Sequence, residues 1–315
     1  MPDTIKTSPE EAAFVGSGVG RHETFAPRYG WLKKGYDAAA ADDTVFTAPD
    51  AIQRLGVGKN MVRSIRFWCL AFRVLQASDG ESATSRSALR STAFGQSLLG
   101  PRGWDPYLED PASLWLLHWQ LFVPPYQAAS WPLAFNRCTA MSFTTRQLAE
   151  SLESAACEFE SLRRLSTSGF QKDASCITRM YGATESRRNP DIVSPFAELG
   201  LIRSAGDGKS FTFNLGLKRT LPPAVVLASA LSYVHHWHGS AHSVSLSQLA
   251  YGWNAPGSVF KLSETEVGRC LAEAVKPIRG VYLSESLGNR LLQFDASPET
   301  VGRRVLEDYY KRAGV

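Results

Sequence analysis

The sequence has few cysteines, and none of them is spaced for metal binding. No C-x-x-C pair occurs, which excludes the zinc-finger, iron–sulfur and thioredoxin-type sites that depend on such pairs. An odd number of free thiols predicts a reducing compartment, and we expect a cytoplasmic protein. The five cysteines are Cys69, Cys138, Cys157, Cys176 and Cys270.

Long apolar runs are also missing. The most apolar stretches, 113–123 and 223–234, are shorter than the ~20 residues that a membrane span needs. We interpret both as buried core helices. The N-terminal residues MPDTIKTSPE are polar and unlike a signal peptide, so the sequence predicts no membrane association.

A strong net charge is absent as well. The 34 Lys and Arg residues exceed the 30 Asp and Glu residues by only four. Net charge therefore does not indicate a nucleic-acid partner, and the placement of the charges must decide. With 44% apolar and 20% charged residues in 315, the composition is that of an ordinary globular protein of two or three domains.

Turn and cap residues predict a mainly α protein with small β-hairpins, an α+β fold. GVG at 56–58 separates a helix that begins near Thr47 from a longer helix over about 60–76, the layout of a helix-turn-helix. Hairpins are predicted at 201–215 and 281–294. Helices followed by a hairpin indicate tandem helix-turn-helix or winged-helix units. Helix starts are marked by the capping pairs Thr144/Gln147, Ser245/Gln248 and Ser263/Glu266 and by Ser297 before Pro298.

These signals divide the chain into five predicted segments. The proline-rich stretch after residue 122 is interpreted as the linker that follows the first domain. The last segment ends in a terminal helix and is a possible dimerisation region. The segments are a basic, aromatic arm (1–44), a helix-turn-helix domain (45–122), a linker (123–140), a winged-helix unit (141–216) and a winged-helix-like unit (217–315).

The second helix of the helix-turn-helix carries a basic stripe. At 100° per residue its cations lie within about 80° of one another, opposite the apolar positions. No acid occurs between Gly56 and Gln76. Such a face suits phosphate contact, although a solvated helix face has the same pattern. The predicted DNA contacts are Lys59, Asn60, Arg63, Arg66 and Arg73.

A second basic segment, 20–37, alternates cations with aromatic rings. Such a surface can follow a nucleic-acid backbone while unpaired bases stack on the rings. Alternatively, the rings pack in the core and the cations reach past them to solvent. The cations are Arg21, Arg28, Lys33 and Lys34, and the rings are Phe25, Tyr29, Trp31 and Tyr36.

A third basic cluster lies where the second recognition helix is expected. Two acids, Asp173 and Glu185, accompany it. Its cations are Arg163, Arg164, Lys172, Arg179, Arg187 and Arg188.

Four residues near the basic segments are candidates for phosphodiester chemistry, which needs carboxylates or histidine to bind a metal or move protons. They are His22, Glu23, Asp105 and Glu109. Each also has a structural interpretation. Glu23 can pair with Arg21 or Arg28, and Asp105 shares a face with Glu109 only if DPYLED is helical.

Three other features are interpreted as structural. Asp110 precedes Pro111 and is predicted to cap a helix. His118, in an apolar run, is predicted to be a satisfied core histidine. The four histidines of HHWHGSAH (235–242) could coordinate a metal, but no carboxylate is beside them, so we expect a surface or helix-end cluster.

Four long strings resemble one protein family: RHETFAPRYGWLKKGYD, LGVGKNMVRSIRFWCLAF, DPYLEDPASLWLLHWQL and SPFAELGLI. The chain is similar over about residues 20–295 to the SspB-type DNA nickases of single-stranded DNA phosphorothioation systems. That family is catalogued as a domain of unknown function found beside PAPS-reductase-like sulfur-transfer enzymes.

The resemblance implies a cytoplasmic DNA-binding protein that nicks one strand, so that sulfur can replace a phosphate oxygen in bacterial anti-phage defence. It implies Mg²⁺ or Mn²⁺ if the protein is a nickase. The implied partners are DNA, a cysteine desulfurase, an ATP-pyrophosphatase-like sulfur-transfer enzyme and an ATPase. It assigns no catalytic residue. The alternative is a non-catalytic multi-winged-helix regulator or scaffold. Paired or palindromic sites would favour a homodimer.

Overall fold

A computed structural model describes residues 8–79, 83–182, 193–206, 208–286 and 288–314. These residues form a mainly helical structure with small antiparallel sheets, which confirms the predicted α+β class. The helices are α1 Pro9–Phe14, α2 Trp31–Ala41, α3 Ala51–Leu55, α4 Lys59–Ala71, α5 Ala93–Leu99, α6 Pro111–Gln120, α7 Ser130–Arg137, α8 Thr145–Ala156, α9 Thr167–Tyr181, α10 Pro223–Trp237, α11 Leu246–Tyr251, α12 Pro256–Phe260, α13 Glu264–Ala274 and α14 Pro298–Ala313, with a 3₁₀ turn at Pro195–Leu199. The strands are β1 Leu75–Ala77, β2 Leu89–Ser91, β3 Phe143–Thr144, β4 Ile202–Ser204, β5 Ser210–Phe213, β6 Ser243–Ser245, β7 Val281–Ser286 and β8 Asn289–Phe294.

The predicted caps begin their helices. Thr144 and Ser245 form complete capping boxes with the glutamines three residues later. Ser263 and Ser297 accept hydrogen bonds at the starts of α13 and α14. Asp110 accepts from the N–H of Ala112 and caps α6, as predicted. Side-chain acceptors at these positions satisfy N–H groups that have no partner within the helix.

Both predicted hairpins are present, and each gains a third strand. β3 precedes α8 and pairs with β5, which gives the order β3-β5-β4. β6 precedes α11 and pairs with β8, which gives the order β6-β8-β7. The two parts of the chain therefore share one topology: a helix, a strand, further helices and a hairpin that pairs with the first strand.

One large apolar core extends through the described residues from α1 to α14. The segment predicted as the linker contains α7, whose Trp131 and Leu133 are completely buried. The predicted arm contributes Phe14, 1% exposed, whose ring lies 4.8 Å from that of Tyr126. Residues on both sides of the predicted boundaries thus pack in the same core.

Helices lie on both sides of the 56–58 turn, but both are shorter than the sequence indicates: α3 begins at Ala51 rather than near Thr47. α4 ends at Ala71 rather than near residue 76, because Phe72 is its C-cap and Arg73 takes a left-handed φ of 55°. The chain then enters β1. DPYLED is not helical either, since Leu108 has a φ of 58°.

The C-terminal helices pack on one another. α10 contacts α6, α12, α13 and α14, and Val225–Leu231 are buried. Its apolar surface is therefore occupied within the chain and is not free for a second copy. Among the described helices, none is both long and apolar enough to cross a membrane.

Candidate nucleic-acid interface

The loop Gly20–Thr24 joins α4 to α9. Glu23 Oε1 lies 3.4 Å from Nη1 of Arg63 on α4. Nη2 of Arg179 on α9 donates to the Thr24 carbonyl at 2.6 Å. The Gly20 N–H donates to Asp173 Oδ1, also on α9, at 2.8 Å. The loop therefore brings together the three basic segments that are distant in the sequence.

Five exposed cations surround this loop, and we call them the basic surface. Lys59 and Arg63 lie one helical turn apart on α4, so their side chains share a face. Lys172 and Arg179 lie two turns apart on α9, and the Lys172 side chain packs close to Gly20. The members of the basic surface are Arg21, Lys59, Arg63, Lys172 and Arg179.

Glu23 and Thr24 have left-handed φ values of 51° and 65°. Such backbone is uncommon away from glycine and persists where surrounding contacts fix it. Here the ion pair with Arg63 and the hydrogen bond from Arg179 supply those contacts. The half-buried Glu23 carboxylate is thereby held at the surface.

Beneath the loop lies a buried network centred on Asp173. Asp173 Oδ1 accepts from Nε2 of His22 at 2.8 Å, and Oδ2 accepts from the Ser130 hydroxyl at 2.6 Å. His22 is completely buried and its ring stacks 6.0 Å from that of Trp68. Its Nδ1 has no hydrogen-bond partner. His22 therefore anchors the loop from inside, whereas Glu23 faces outward.

Asp105 and Glu109 lie in another part of the fold. Asp105 is 1% exposed and accepts from the N–H groups of Glu109 and Asp110 at 2.9 Å. It also accepts from the Ser113 hydroxyl, which contacts Tyr310 of α14. These bonds give Asp105 a structural role at the start of α6. Glu109 is exposed.

Arg66 and Arg73 are used within the fold. Arg66 donates to the carbonyls of Thr84 and Ser87, and burial lowers its pKa. Arg73 donates to the carbonyls of Val123 and Pro125 at 2.8 and 2.9 Å, and burial lowers its pKa to about 10. The early end of α4 turns Arg73 away from the other cations of the stripe. These hydrogen bonds give Arg73, predicted as a DNA contact, a structural role in the fold.

The cations of segment 20–37 divide between two places. Arg21 belongs to the basic surface, whereas Arg28, Lys33 and Lys34 line a neighbouring cleft. The rings of the segment mostly pack inward. Trp31 and Tyr36 are each 5% exposed and Phe25 packs on the core, so Tyr29, 54% exposed, is the ring that faces solvent.

The remaining candidates are histidines that lie away from the basic surface. His118 is buried, bonds to the Tyr181 hydroxyl and the Val259 carbonyl, and has its pKa lowered to about 3 by burial, as expected of a core histidine. His235 and His236 lie in the last turn of α10 and His238 is its C-cap, which confirms a helix-end cluster. Within the described ranges, no group of three or more His, Cys, Asp or Glu residues could hold a metal ion. Arg187 and Arg188 lie outside the described residues.

Comparison with known proteins places the chain in a family. The family model described as "Protein of unknown function (DUF4007)" matches residues 19–310. No curated protein sequence matches the chain. A crystal structure of SspB is similar over 96% of this chain and 91% of its own, with 32% identity and a TM-score of 0.87. A crystal structure of magnesium-bound SspB is similar over 94% and 88%, with 33% identity and a TM-score of 0.86. The chain therefore belongs to the DUF4007 family and is an SspB-type protein.

Proposed function

We propose that this protein binds DNA through the basic surface around the Gly20–Thr24 loop. The observation that carries this proposal is the convergence of three basic segments on one loop. The surface has five cations, and Glu23 is the carboxylate that the loop places among them. Exposed Lys and Arg side chains on a rigid pair of helices suit the sequence-independent contact of phosphates.

The shared topology of the two three-stranded parts supports their assignment as winged-helix units. In the first, α9 has the position of a recognition helix, the second long helix before the hairpin, and its exposed cations belong to the basic surface. In the second, α13 has the same position but carries Glu264, Glu266 and Glu273. Acids on that helix oppose phosphate contact, so DNA binding is assigned to the first unit.

We further propose that the protein nicks one DNA strand and that Glu23 is the carboxylate at the reacting phosphate. Glu23 reaches solvent among cations, whereas His22 and Asp105 are buried. Mg²⁺ commonly binds one or two carboxylates together with substrate phosphates and water. The described residues provide no preformed cage of three ligands, so a metal here would depend on the DNA for ligands.

The wider assignment follows the family resemblance. We propose that the protein acts in the cytoplasm within a phosphorothioate modification and defence system. Its partners there would be a cysteine desulfurase, an ATP-pyrophosphatase-like sulfur-transfer enzyme and an ATPase. A homodimer would have to use a surface other than residues Val225–Leu231 of α10, because they are buried within their own chain.

Double substitution of Lys59 and Arg63 by Ala tests the DNA-binding proposal. We expect weaker duplex binding and a salt slope that is less steep by about 1.8, or about 0.9 per lost phosphate contact. Lys311→Ala with Arg312→Ala is the matched control, because it removes two exposed cations at the end of α14. Equal salt slopes in the two double variants would contradict the proposal.

Supercoiled plasmid with Mg²⁺ or Mn²⁺ tests the nicking proposal. Glu23→Gln keeps the shape of the side chain and removes its charge, so we expect DNA binding to persist while open-circle product falls by orders of magnitude. Glu109→Gln, at an exposed acid in another part of the fold, is the comparison. Wild-type nicking by Glu23→Gln would exclude Glu23. Binding without nicking by the wild-type protein would instead favour a regulator or scaffold. Glu23 would then serve only to orient the loop through its ion pair with Arg63.

A further inference from the structure

A cleft of about 540 Å³ opens beside the basic surface. It lies between the start of α2, the end of α3, the segment before α6 and the 3₁₀ turn Pro195–Leu199. Its floor is apolar and includes Leu32, Leu114 and Phe196. Four separate parts of the chain thus form the floor and walls of the cleft.

The rim of the cleft is cationic. Arg28, Lys33, Lys34 and Arg54 line it. Lys33 is paired with Asp37 at 2.6 Å and Arg54 with Asp42 at 2.5 Å. Among the described residues, Arg28 and Lys34 are therefore the rim cations without a carboxylate partner. Lys34 Nζ donates to the Leu55 carbonyl at 3.0 Å, which leaves two of its three N–H donors for a ligand. Two such cations at the rim of an apolar cleft favour an anionic ligand that also has an apolar part.

Two exposed tyrosines also line the cleft. Tyr107 is 73% exposed and Tyr29 is 54% exposed. Nζ of Lys33 lies over one face of the Tyr107 ring, 5.7 Å from its centroid, and the large exposed fraction of Tyr107 leaves ring surface for a base. Tyr29 is oriented by a hydrogen bond from its hydroxyl to Glu198. Exposed rings beside Lys and Arg are the features on which unpaired bases stack.

We propose that this cleft receives an unpaired nucleotide of a DNA strand, with its base on Tyr107 and its phosphate at Lys34. The inference rests on the proposed DNA binding and adds the kind of strand that is bound. Paired bases in a duplex are already stacked and cannot present a face to Tyr107, so the cleft selects unpaired nucleotides.

One DNA strand could contact both the cleft and the proposed reaction site. Arg28 follows Glu23 by five residues, which limits the distance between their Cα atoms to about 18 Å. A strand held in the cleft would therefore pass close to the Gly20–Thr24 loop. The cleft would thus hold the strand next to Glu23.

Tyr107→Ala removes the proposed stacking surface. The probes are a fluorescent twelve-nucleotide oligothymidylate and a twelve-base-pair duplex. We expect the variant to bind the single strand about tenfold more weakly, the effect of losing one base–aromatic stack, and to bind the duplex as the wild type does. Tyr107→Phe keeps the ring and is the matched control, which should bind like the wild type.

Lys34→Gln tests the phosphate contact independently. We expect the salt slope for the single strand to become less steep by about 0.7. Urea unfolding of each variant separates a binding loss from a folding loss. Because Tyr107 is exposed, its replacement should leave stability unchanged.

Each outcome of these measurements is informative. Wild-type protein that binds neither probe overturns the proposed DNA binding itself. Duplex binding without single-strand binding, or equal single-strand affinity of Tyr107→Ala and wild type, overturns the cleft alone. Equal losses for both probes, or a loss in Tyr107→Phe as large as in Tyr107→Ala, also contradicts stacking on this ring.

Discussion

Replacing Asp173 by Ala would remove the acceptor of three donors beneath the Gly20–Thr24 loop. These are the Gly20 N–H, Nε2 of His22 and the Ser130 hydroxyl, at 2.8, 2.8 and 2.6 Å from the carboxylate. Asp173 is 1% exposed and His22 is completely buried. Water cannot reach the His22 and Ser130 donors without entry into the core, because both residues are completely buried, so these two donors would lose their partner.

The expected loss of unfolding free energy follows from that burial. Leaving a buried donor without a partner costs about 1–3 kcal/mol, so the two fully buried donors together imply a loss of about 2–6 kcal/mol. Ser130→Ala removes one of the three bonds and keeps the acceptor, so its expected cost is about 1 kcal/mol. Both values are smaller than the upper range of domain stability, about 15 kcal/mol, so measurable folded protein should remain.

Urea unfolding measures the free energy of unfolding of both variants. Duplex binding is then compared without urea, at a temperature at which each variant is folded. Because Asp173 fixes the loop that holds Glu23, we expect Asp173→Ala also to weaken DNA binding, although the residue is not at the surface. Lys172→Ala, at the neighbouring exposed position, should weaken binding without lowering stability. A loss below about 1 kcal/mol in Asp173→Ala would refute the inferred role of the network.

Three other perturbations test the structure. Arg73→Ala should lower the free energy of unfolding by about 2–3 kcal/mol while the salt slope of DNA binding stays unchanged, because its guanidinium bonds to backbone carbonyls; a changed slope would contradict the structural role. Stability should fall as the pH decreases from 6.5, because burial lowers the pKa of His118 to about 3 and that of His236 to about 4 in the folded protein. The unfolded chain therefore binds more protons, and His118 alone would contribute up to about 1.4 kcal/mol per pH unit. Urea midpoints that are constant between pH 7 and pH 5 would exclude this. Gly95→Ala should destabilise α5 by about 1–3 kcal/mol in thermal unfolding, because its Cβ would lie 2.1 Å from the Val74 carbonyl oxygen; an unchanged melting temperature would contradict that packing.

The sequence predicted the local elements well because their signals are local. Capping boxes at Thr144 and Ser245 and the turns of both hairpins depend on residues within a few positions of one another. The third strands, β3 and β6, were not predicted. Each has two or three residues, and it becomes a strand only because it pairs with a hairpin about 50–70 residues later in the chain.

The basic stripe shows which residue positions helical periodicity can predict and which it cannot. It placed Lys59 and Arg63 on an exposed helix face, as the structure does. It also included Arg73, because nothing in the sequence marks the end of α4 at Ala71. The left-handed turn at Arg73 is fixed by tertiary hydrogen bonds to the Val123 and Pro125 carbonyls, and a helical projection cannot contain that information.

The role of Asp173 could not be predicted from the sequence. In the third cluster it was only an acid among cations, and no local pattern connects it with His22 or Ser130, which are 151 and 43 positions away. Tyr107 was missed for the same reason. Its relation to Lys33 and Arg54 depends on packing between segments that are distant in the chain.

The adjacency of His22 and Glu23 joins the interior to the surface. The left-handed conformation at Glu23 reverses the chain direction locally, so that one side chain is bound to α9 inside the core and the next is paired with α4 outside. A phosphate that binds Arg63 competes with Glu23 for the same guanidinium, while Arg179 and Asp173 continue to hold the loop backbone. If DNA binds as proposed, it would therefore release the Glu23 carboxylate from its ion pair without releasing the loop, and a carboxylate freed in this way would remain beside the phosphate that displaced it.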